Sequence, residues 1–563
     1  MASKEIKTVQ LYTPEGERVM AGESSWREYP RPQLKRESFI SLDGIWELEF
    51  SGKKHDILVP FPPESALSGI GRVLDRAPRY IYRKGFALPK GFNVGRVILH
   101  FGAVDQICEC FVNGKRVGGN VGGYNSFELD ITDCLCDGEN KIELHVSDEL
   151  DNAILPYGKQ TNKRGGMWYT PVSGIWQSVW LESVPEKYVR GIKIDTTLDT
   201  ARIQFDGVDS GTLTYIDGEV ERDVEFTGGV AVIKPESIKL WTPDEPYLYS
   251  FKVQSGKDSF ESYFALREMS TKKIDGVPRI CLNGEPIFLH GLLDQGYFPD
   301  GIFTAASDTC YKNDILTAKR LGFNTLRKHI KVEPEVFYYY CDKHGMIVVQ
   351  DMVNNGKYGF IRDTALPTVG MKRLSDRGLH KNKRSREAFI DSMIKTVGQL
   401  YNHPSICMWT IFNEGWGQFC SSDAYELMRR LDVSRVIDSA SGWFYPKKSD
   451  VKSEHVYFKK IKVKPKKREK PVFLSEFGGY SHKVEGHIFN PYNNYGYGSA
   501  KTVEEFEKML RDLYTEEVIP NVKNGLSGAI LTQITDVEDE TNGIITYDRR
   551  VVKLADAVPE IKI

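Results

Sequence analysis

What the chain lacks bounds its function first. No stretch reaches 18 consecutive apolar residues, so no membrane-spanning helix is expected. Lysine plus arginine (75) nearly balances aspartate plus glutamate (77), a formal net charge of −2, and nothing in that balance asks for nucleic acid. The first twenty residues, MASKEIKTVQLYTPEGERVM, carry neither the apolar core nor the small-residue cleavage pattern of a leader, and a cytoplasmic location is expected. The C-x-C pairs Cys108/Cys110 and Cys134/Cys136 have no histidine at ligand spacing, and nine cysteines is an odd number, so free thiols are expected rather than zinc or disulfides. What is present, 40% hydrophobic and 27% charged residues over 563 positions, describes a soluble globular protein of three or four domains.

The first third is written in period two. RVILHF (96–101), CECFVNG (108–114) and NKIELHVSD (140–148) alternate or run apolar over strand lengths between Gly, Asn and Asp, which predicts an antiparallel β-sandwich across 1–183. Asn113-Gly114 suits a two-residue hairpin turn. After SGIWQSVWLESV (173–184), the shorter segments RIQFD, GTLTYI, GVAVI and YSFKVQ predict a second sandwich over 184–271.

From Lys272 the pattern becomes strands alternating with helices. PIFLHG, NTLRKH, MIVVQD, ICMWTIFNE, RVID, EHVYF, PVFLSE and GAILTQ are eight short apolar runs. Helical stripes lie between them, as in NDILTAKRLGF (313–323) and in SREAFIDSMIKTVGQLY (385–401), where Phe389, Met393, Val397 and Leu400 share a face. Eight such units over 272–563 fit a (β/α)8 barrel, with 352–383 as a long loop of the kind that forms or covers a site.

Residues that end barrel strands face the active site. WTIFNEGWG ends the fourth run on Asn413 and Glu414, and FLSEFGGY ends the seventh on Glu476. Strands four and seven stand across the mouth from each other, so two carboxyl groups can flank one bond, as glycoside hydrolysis requires. One must hold a proton for the leaving oxygen and the other must stay ionised. Arg327, ending strand two, is either the cation beside the ionised carboxylate or a structural ion-pair partner. The glycines after each glutamate are expected to leave room for a sugar ring. His329, Trp443, His455 and Tyr457 sit near other strand ends, where each is a packing residue or a sugar contact. The run KKIKVKPKKREK (459–470) is a solvated loop or a bias toward acidic substrates.

Taken together these segments resemble glycoside hydrolase family 2, the β-galactosidases, β-glucuronidases and β-mannosidases. SLDGIWELEF, the 112–132 segment and SGIWQSVWLE resemble its sugar-binding jelly roll. LWTPDEPYLYSF and FALREM resemble its immunoglobulin-like domain, and LNGEPIFLHG, LGFNTLRKH, YNHPSICMWTIFNEG and FLSEFGGY its catalytic barrel. The resemblance implies retaining hydrolysis, with Glu414 as acid/base, Asn413 as donor to the sugar 2-hydroxyl, Glu476 as nucleophile and Tyr457 hydrogen-bonded to it.

The chain also departs from well-known members. LLDQGYFPDG (292–301) replaces the Arg-His-Glu stretch of large β-galactosidases, so Asp294 and Gln295 are expected to face the sugar, and Thr532 and Gln533 stand where many members end strand eight in tryptophan. The Asn-x-Lys-Gly motif of β-glucuronidases is absent. NVKN (521–524) comes near it, but precedes strand eight and lacks the glycine. The expectation is an exo-acting, β-galactosidase-like retaining β-glycosidase. The alternatives are a uronic-acid glycosidase, a catalytically inactive carbohydrate-binding protein, and an assembly protein. The partner is a small glycoside or oligosaccharide, with homo-oligomers possible. No metal site is indicated and no cofactor is required, although some relatives bind magnesium or sodium.

Overall fold

A computed structural model describes residues 8–561 except 24, 27, 75–78, 366–375, 443–446, 465–468, 494 and 557. Between Phe39 and Val184, antiparallel sheets of four and six strands enclose one core, with Trp46, Leu48, Tyr82 and Leu144 facing Leu99, Phe101 and Leu181. The strand Glu139–Ser147 buries alternate residues, as its period-two pattern requires. Asn113 and Gly114 both take positive φ (49° and 80°) between the strands Ile107–Val112 and Lys115–Val121, the expected hairpin.

Seven antiparallel strands follow between Gly191 and Phe264. Phe205 and Phe260, on strands far apart in the ladder order, have ring centroids only 6.5 Å apart, so the sheet wraps around a single core. All nine cysteines are free thiols.

The C-terminal half carries eight parallel strands: β1 (Leu289–Asp294), β2 (Thr325–Lys328), β3 (Ile347–Asp351), β4 (Ile406–Thr410), β5 (Val436–Asp438), β6 (Lys452–Val456), β7 (Val472–Gly478) and β8 (Leu526–Thr532). Each coincides with one of the eight apolar runs. They pair in the order β5-β4-β3-β2-β1-β8-β7-β6. Between β5 and β6 the contact is made by Asp450 N donating to Ile437 O at 2.9 Å and by Ser453 Oγ donating to Asp438.

Among the helices, α1 (Asp308–Arg320) ends at Leu321, with Gly322 at φ 90°, and α2 spans Glu335–His344. The third, α3 (Lys383–Leu400), starts where the Asn382 side chain accepts from Ser385 N, and buries Phe389, Met393, Val397 and Leu400 as its stripe predicts. Among the described residues no helix is long and apolar enough to cross a membrane.

Two expected boundaries shift. The antiparallel strand Met269–Ile274 runs across the 271/272 border, and Met269, Ile280 and Leu282 share the barrel's inner core with Leu289, Ile347 and Phe473. The N-terminal segment packs on the barrel rather than on the first sandwich. Leu11 and Val19 join the core outside the strands, and Thr13 donates from its N and Oγ1 to Asp300 Oδ2 at 2.8 and 2.6 Å. The first shift comes from a local hairpin, in which Met269–Ile274 pairs with Val277–Leu282 across Asp275-Gly276, whereas the second joins segments far apart in sequence, which periodicity cannot reveal.

The first sandwich is docked on the barrel. Tyr124 and Trp176 pack with Phe303 at centroid distances of 6.0 and 5.1 Å, in one continuous apolar cluster. The described part of the 352–383 loop, which includes a π-helical turn at Ile361–Ala365, grips residues 153–158. Gly356 N donates to Ala153 O (2.8 Å), Asn355 Nδ2 to Ile154 O (2.6 Å), and Tyr157 Oη to Gly356 O (2.9 Å). That grip carries the following residues to the barrel mouth.

Candidate active site

At the C-terminal ends of the strands lies a pocket lined from around the mouth by Leu293, Gln295, His329, Asn413, Glu414, Trp416, Tyr457, Glu476, Tyr495, Tyr497, Thr532 and Glu540, with Lys159 and Met167 entering from the first sandwich. The β4 ladder stops at Thr410, four residues before the glutamate it was expected to end on. Asn413 instead bridges to Ser441, and Glu414 N donates to Ser441 O at 2.9 Å. Glu414 itself adopts φ 50°, a left-handed conformation uncommon outside glycine.

Gly417 and Gly478 allow close approaches to neighbouring chain, while Gly479 borders the pocket residue Tyr497, whose ring a Cβ there would meet at 2.5 Å. A Cβ on Gly417 would meet Asn355 O at 2.3 Å, and one on Gly478 would meet the Leu531 side chain at 2.6 Å.

Glu476 is buried on β7. Its Oε1 accepts from Arg327 Nη1 at 3.0 Å, its Oε2 accepts from Tyr457 Oη at 2.5 Å, and His455 Nδ1 is 3.5 Å from Oε2. Burial alone would push its carboxyl up, but His455, Arg327 and His329 together with the tyrosine hydrogen bond outweigh it and hold the group at about 2. The two readings of Arg327 hold together. Fully buried, it forks onto Asp351 (3.0 Å at each oxygen), pairs with Glu476, and donates to Asn413 Oδ1 at 2.9 Å. Because Arg327 takes the Asn413 oxygen, the amide NH2 is the group left to meet a ligand.

Oxygen atoms of Glu414 and Glu476 and a ring nitrogen of His455 all lie within 4.8 Å of one another. His455 Nδ1 is 2.8 Å from Glu414 Oε1, and its Nε2 meets Ser441 Oγ at 2.8 Å. Among the described residues this trio is the group that could ligate a metal ion, though a cation there would occupy both facing carboxylates. His329 uses Nδ1 on Asp351 (2.9 Å), which leaves its other ring nitrogen for the pocket. Tyr457 also meets Thr532 Oγ1 at 3.0 Å and stacks on Tyr497 at 3.8 Å.

The remaining predicted residues are not brought to the pocket. Asp294 is in register with Lys328 and turns out of the barrel onto its ammonium (2.6 Å), while Leu293 and Gln295 on either side point in, as strand alternation requires. Gln533 likewise turns away, donating to Glu540 Oε2 (3.0 Å) and Asn542 Oδ1 (2.8 Å). Trp443 lies outside the described residues. In the basic run, Ile461 N and Val463 N are anchored on Glu517 and Asn521 (2.8 Å each), and Lys459, Lys460, Lys462 and Lys464 face solvent. Asn521 of the NVKN stretch is therefore committed to that anchor, ahead of β8 at the end of the barrel opposite the pocket.

Lys159, Met167, Trp416, Tyr495, Tyr497 and Glu540 were not singled out from sequence. Trp416 stands within the quoted Asn-Glu-Gly-Trp-Gly turn, which was a readable signal. The others sit on loops without periodicity.

Residues 17–185 match the family model for the glycosyl hydrolases family 2 sugar binding domain, and residues 277–557 match the one for the family 2 TIM barrel domain. A β-galactosidase of Thermoanaerobacter pseudethanolicus is 26% identical over 385 residues, covering 63% of this chain and 47% of that protein. A β-glucuronidase of Bacteroides fragilis is 24% identical over 412 residues, covering 67% and 56%. The chain thus spans about half the length of the curated relatives it matches. The solved β-D-glucuronidase of Dictyoglomus thermophilum shares the fold with a TM-score of 0.73 at 19% identity, covering 92% of this chain and 96% of that one.

Proposed function

The chain belongs to glycoside hydrolase family 2, and from that premise we propose that it is a retaining exo-β-glycosidase acting on a terminal β-linked sugar of a small glycoside or oligosaccharide. The observation that carries this reading is the approach of the Glu414 and Glu476 carboxylates to within 4.8 Å. Retaining enzymes hold their two carboxyl groups about 5–5.5 Å apart, whereas inverting enzymes need about 6.5–9.5 Å to admit a water.

Glu476, kept ionised by His455, Arg327, His329 and the Tyr457 hydrogen bond, attacks the anomeric carbon. Glu414 gives its proton to the leaving oxygen as the glycosidic bond breaks, which leaves a glycosyl ester on Glu476. The emptied Glu414 then takes a proton from water, whose oxygen attacks the same carbon and frees Glu476. The Asn413 amide meets the 2-hydroxyl, and Tyr497 borders the ring. Lining residues contributed from several strand ends around the mouth support exo action. Relatives named β-galactosidase and β-glucuronidase are similar in identity, so the galactoside expectation and the uronide alternative start level.

Two measurements test this reading. An activated 2-deoxy-2-fluoro glycoside should label the peptide containing Glu476, and the first product seen by proton NMR should be the β anomer. A first-formed α anomer would mean inversion. Turnover of no glycoside by folded protein that binds sugar would favour the inactive carbohydrate-binding alternative.

A further inference from the structure

Lys159 is 7% exposed and lines the pocket beside the two glutamates, yet among the described residues its ammonium has no hydrogen-bond acceptor and no ion-pair partner. Its neighbours are aromatic faces, Tyr169 at 5.5 Å and Trp416 at 5.6 Å. The indole Nε1 of Trp416 is also buried without a partner among the described residues, as is Oε1 of Gln295. The pocket therefore holds two unanswered donors close together and one unanswered acceptor. Buried polar groups are normally paired, so such a set marks where a ligand supplies the missing partners.

The nearby Glu540 feels the Lys159 charge, which opposes the upward push of burial on its carboxyl, but its oxygens hydrogen-bond elsewhere. Glu540 spends Oε1 on Tyr169 Oη (2.7 Å) and Oε2 on Gln533 Nε2 (3.0 Å) and Asn542 Nδ2 (3.3 Å). The lysine is held firmly. Residues 153–158 are gripped by the loop after β3, Tyr169 N donates to Lys159 O at 3.0 Å, and the adjacent Gln160 donates to Asp105 and Tyr124. A hydroxymethyl group would offer this ammonium one weak acceptor, whereas a carboxylate can accept from both Nζ and the indole N–H.

We propose that Lys159, together with Trp416 Nε1, binds the carboxylate of a terminal uronic acid, and that the substrate class is the β-uronides. The inference rests on the retaining glycosidase reading and deepens it. The cation comes from the first sandwich, not from the NVKN stretch, which lies at the far end of the barrel.

The test compares kcat/KM of the wild type on matched pairs of 4-nitrophenyl glycosides, β-D-glucuronide against β-D-glucoside and β-D-galacturonide against β-D-galactoside. A uronide is expected to exceed its neutral partner by ~100-fold or more, and Lys159→Met should cut that ratio by about 100-fold, chiefly through KM, with Lys159→Arg restoring part of it. Preference for the neutral member of both pairs, or a ratio that Lys159→Met leaves unchanged, would overturn the proposal while leaving the glycosidase reading standing. If the variant does not fold, calorimetric binding of D-glucuronate and D-galacturonate against D-glucose and D-galactose by the wild type decides. Tighter uronate binding that weakens with added salt supports the proposal, and equal or weaker uronate binding overturns it. Absence of turnover and of Glu476 labelling would instead sink the glycosidase reading, and the same binding comparison still decides the role of Lys159.

Discussion

His455 Nδ1 lies 2.8 Å from Glu414 Oε1 and 3.5 Å from Glu476 Oε2, so one imidazole touches both carboxylates of the pocket. Its other nitrogen is tied through Ser441 Oγ to Ser475 Oγ, on the residue next to Glu476 (2.8 Å each). The ring is a positioning residue that spaces the two acids. His455→Asn should lower kcat by about 10²-fold, the usual penalty for displacing reacting groups by an ångström, and should alter the pH profile as well as the rate. Unchanged kcat across pH would show that the acids hold their spacing without it.

The state of Glu476 makes a pH prediction. Its carboxyl, held at about 2 against an ordinary 4.5, is ionised throughout the working range. Because the folded value is the lower one, its stabilising contribution is complete above pH 4.5 and is lost as pH falls toward 2. The acidic limb of kcat/KM therefore does not belong to Glu476 in the wild type. Arg327→Gln combined with Asp351→Asn removes the guanidinium while keeping the buried charges balanced, and should raise the Glu476 limb to somewhere between about pH 3 and 5. A pH–rate profile of the double variant identical to that of the wild type would contradict the role of Arg327.

Exchanging the two glutamates for glutamine should produce different signatures. Glu476→Gln removes the nucleophile while keeping its shape, and kcat should drop by at least ~10³-fold on every glycoside. Glu414→Gln should cost ~10²–10⁴-fold on alkyl glycosides, whose leaving groups need protonation, and far less on 4-nitrophenyl glycosides. Equal losses on both kinds of aglycone would rule out the acid role for Glu414.

Tyr457 donates to Glu476 and is stacked on Tyr497, so it orients that carboxylate, the proposed nucleophile, without carrying charge. Tyr457→Phe keeps the stack and removes the hydrogen bond. A loss in kcat of roughly 10–100-fold with little change in the melting temperature is expected, since a hydrogen bond to a charged group contributes about 1.5–3 kcal/mol. Loss of stability in place of rate would assign Tyr457 to packing.

Away from the pocket, Glu64 accepts from Ser173 N (3.0 Å) and Ser173 Oγ (2.7 Å) in a buried position. Burial pushes its carboxyl from an ordinary 4.5 up to about 8, although the serine bonds oppose this. Between those values the folded state holds a proton that the unfolded chain has lost, so stability falls as pH rises from 4.5 to 8. Glu64→Gln mimics the protonated form and should raise the melting temperature at pH 8 by roughly 2–4 °C, with no gain near pH 4.5. A gain independent of pH would mean that Glu64 is already ionised in the fold.

Legibility differed from residue to residue for physical reasons. The eight barrel runs were readable because a parallel strand is buried on both faces and must be apolar over its length. Glu414 and Glu476 were readable as a pair, because acids following the fourth and seventh runs stand across the barrel mouth from each other. Asp294 misled because an acid after an apolar run looks the same whether it points into the pocket or out to Lys328, and one step of strand alternation separates the two.

By itself, then, the sequence determined the strands and the two acids at or just after two of them, since those follow from local pattern within a dozen residues. Tertiary structure alone decided which further groups, Lys159 above all, share the pocket with them. Lys159 precedes Glu414 by 255 positions and reaches it only because Trp176 and Tyr124 dock the first sandwich on the barrel and the loop after β3 grips residues 153–158. Contacts of that range depend on which surfaces pack together, and no local pattern encodes them.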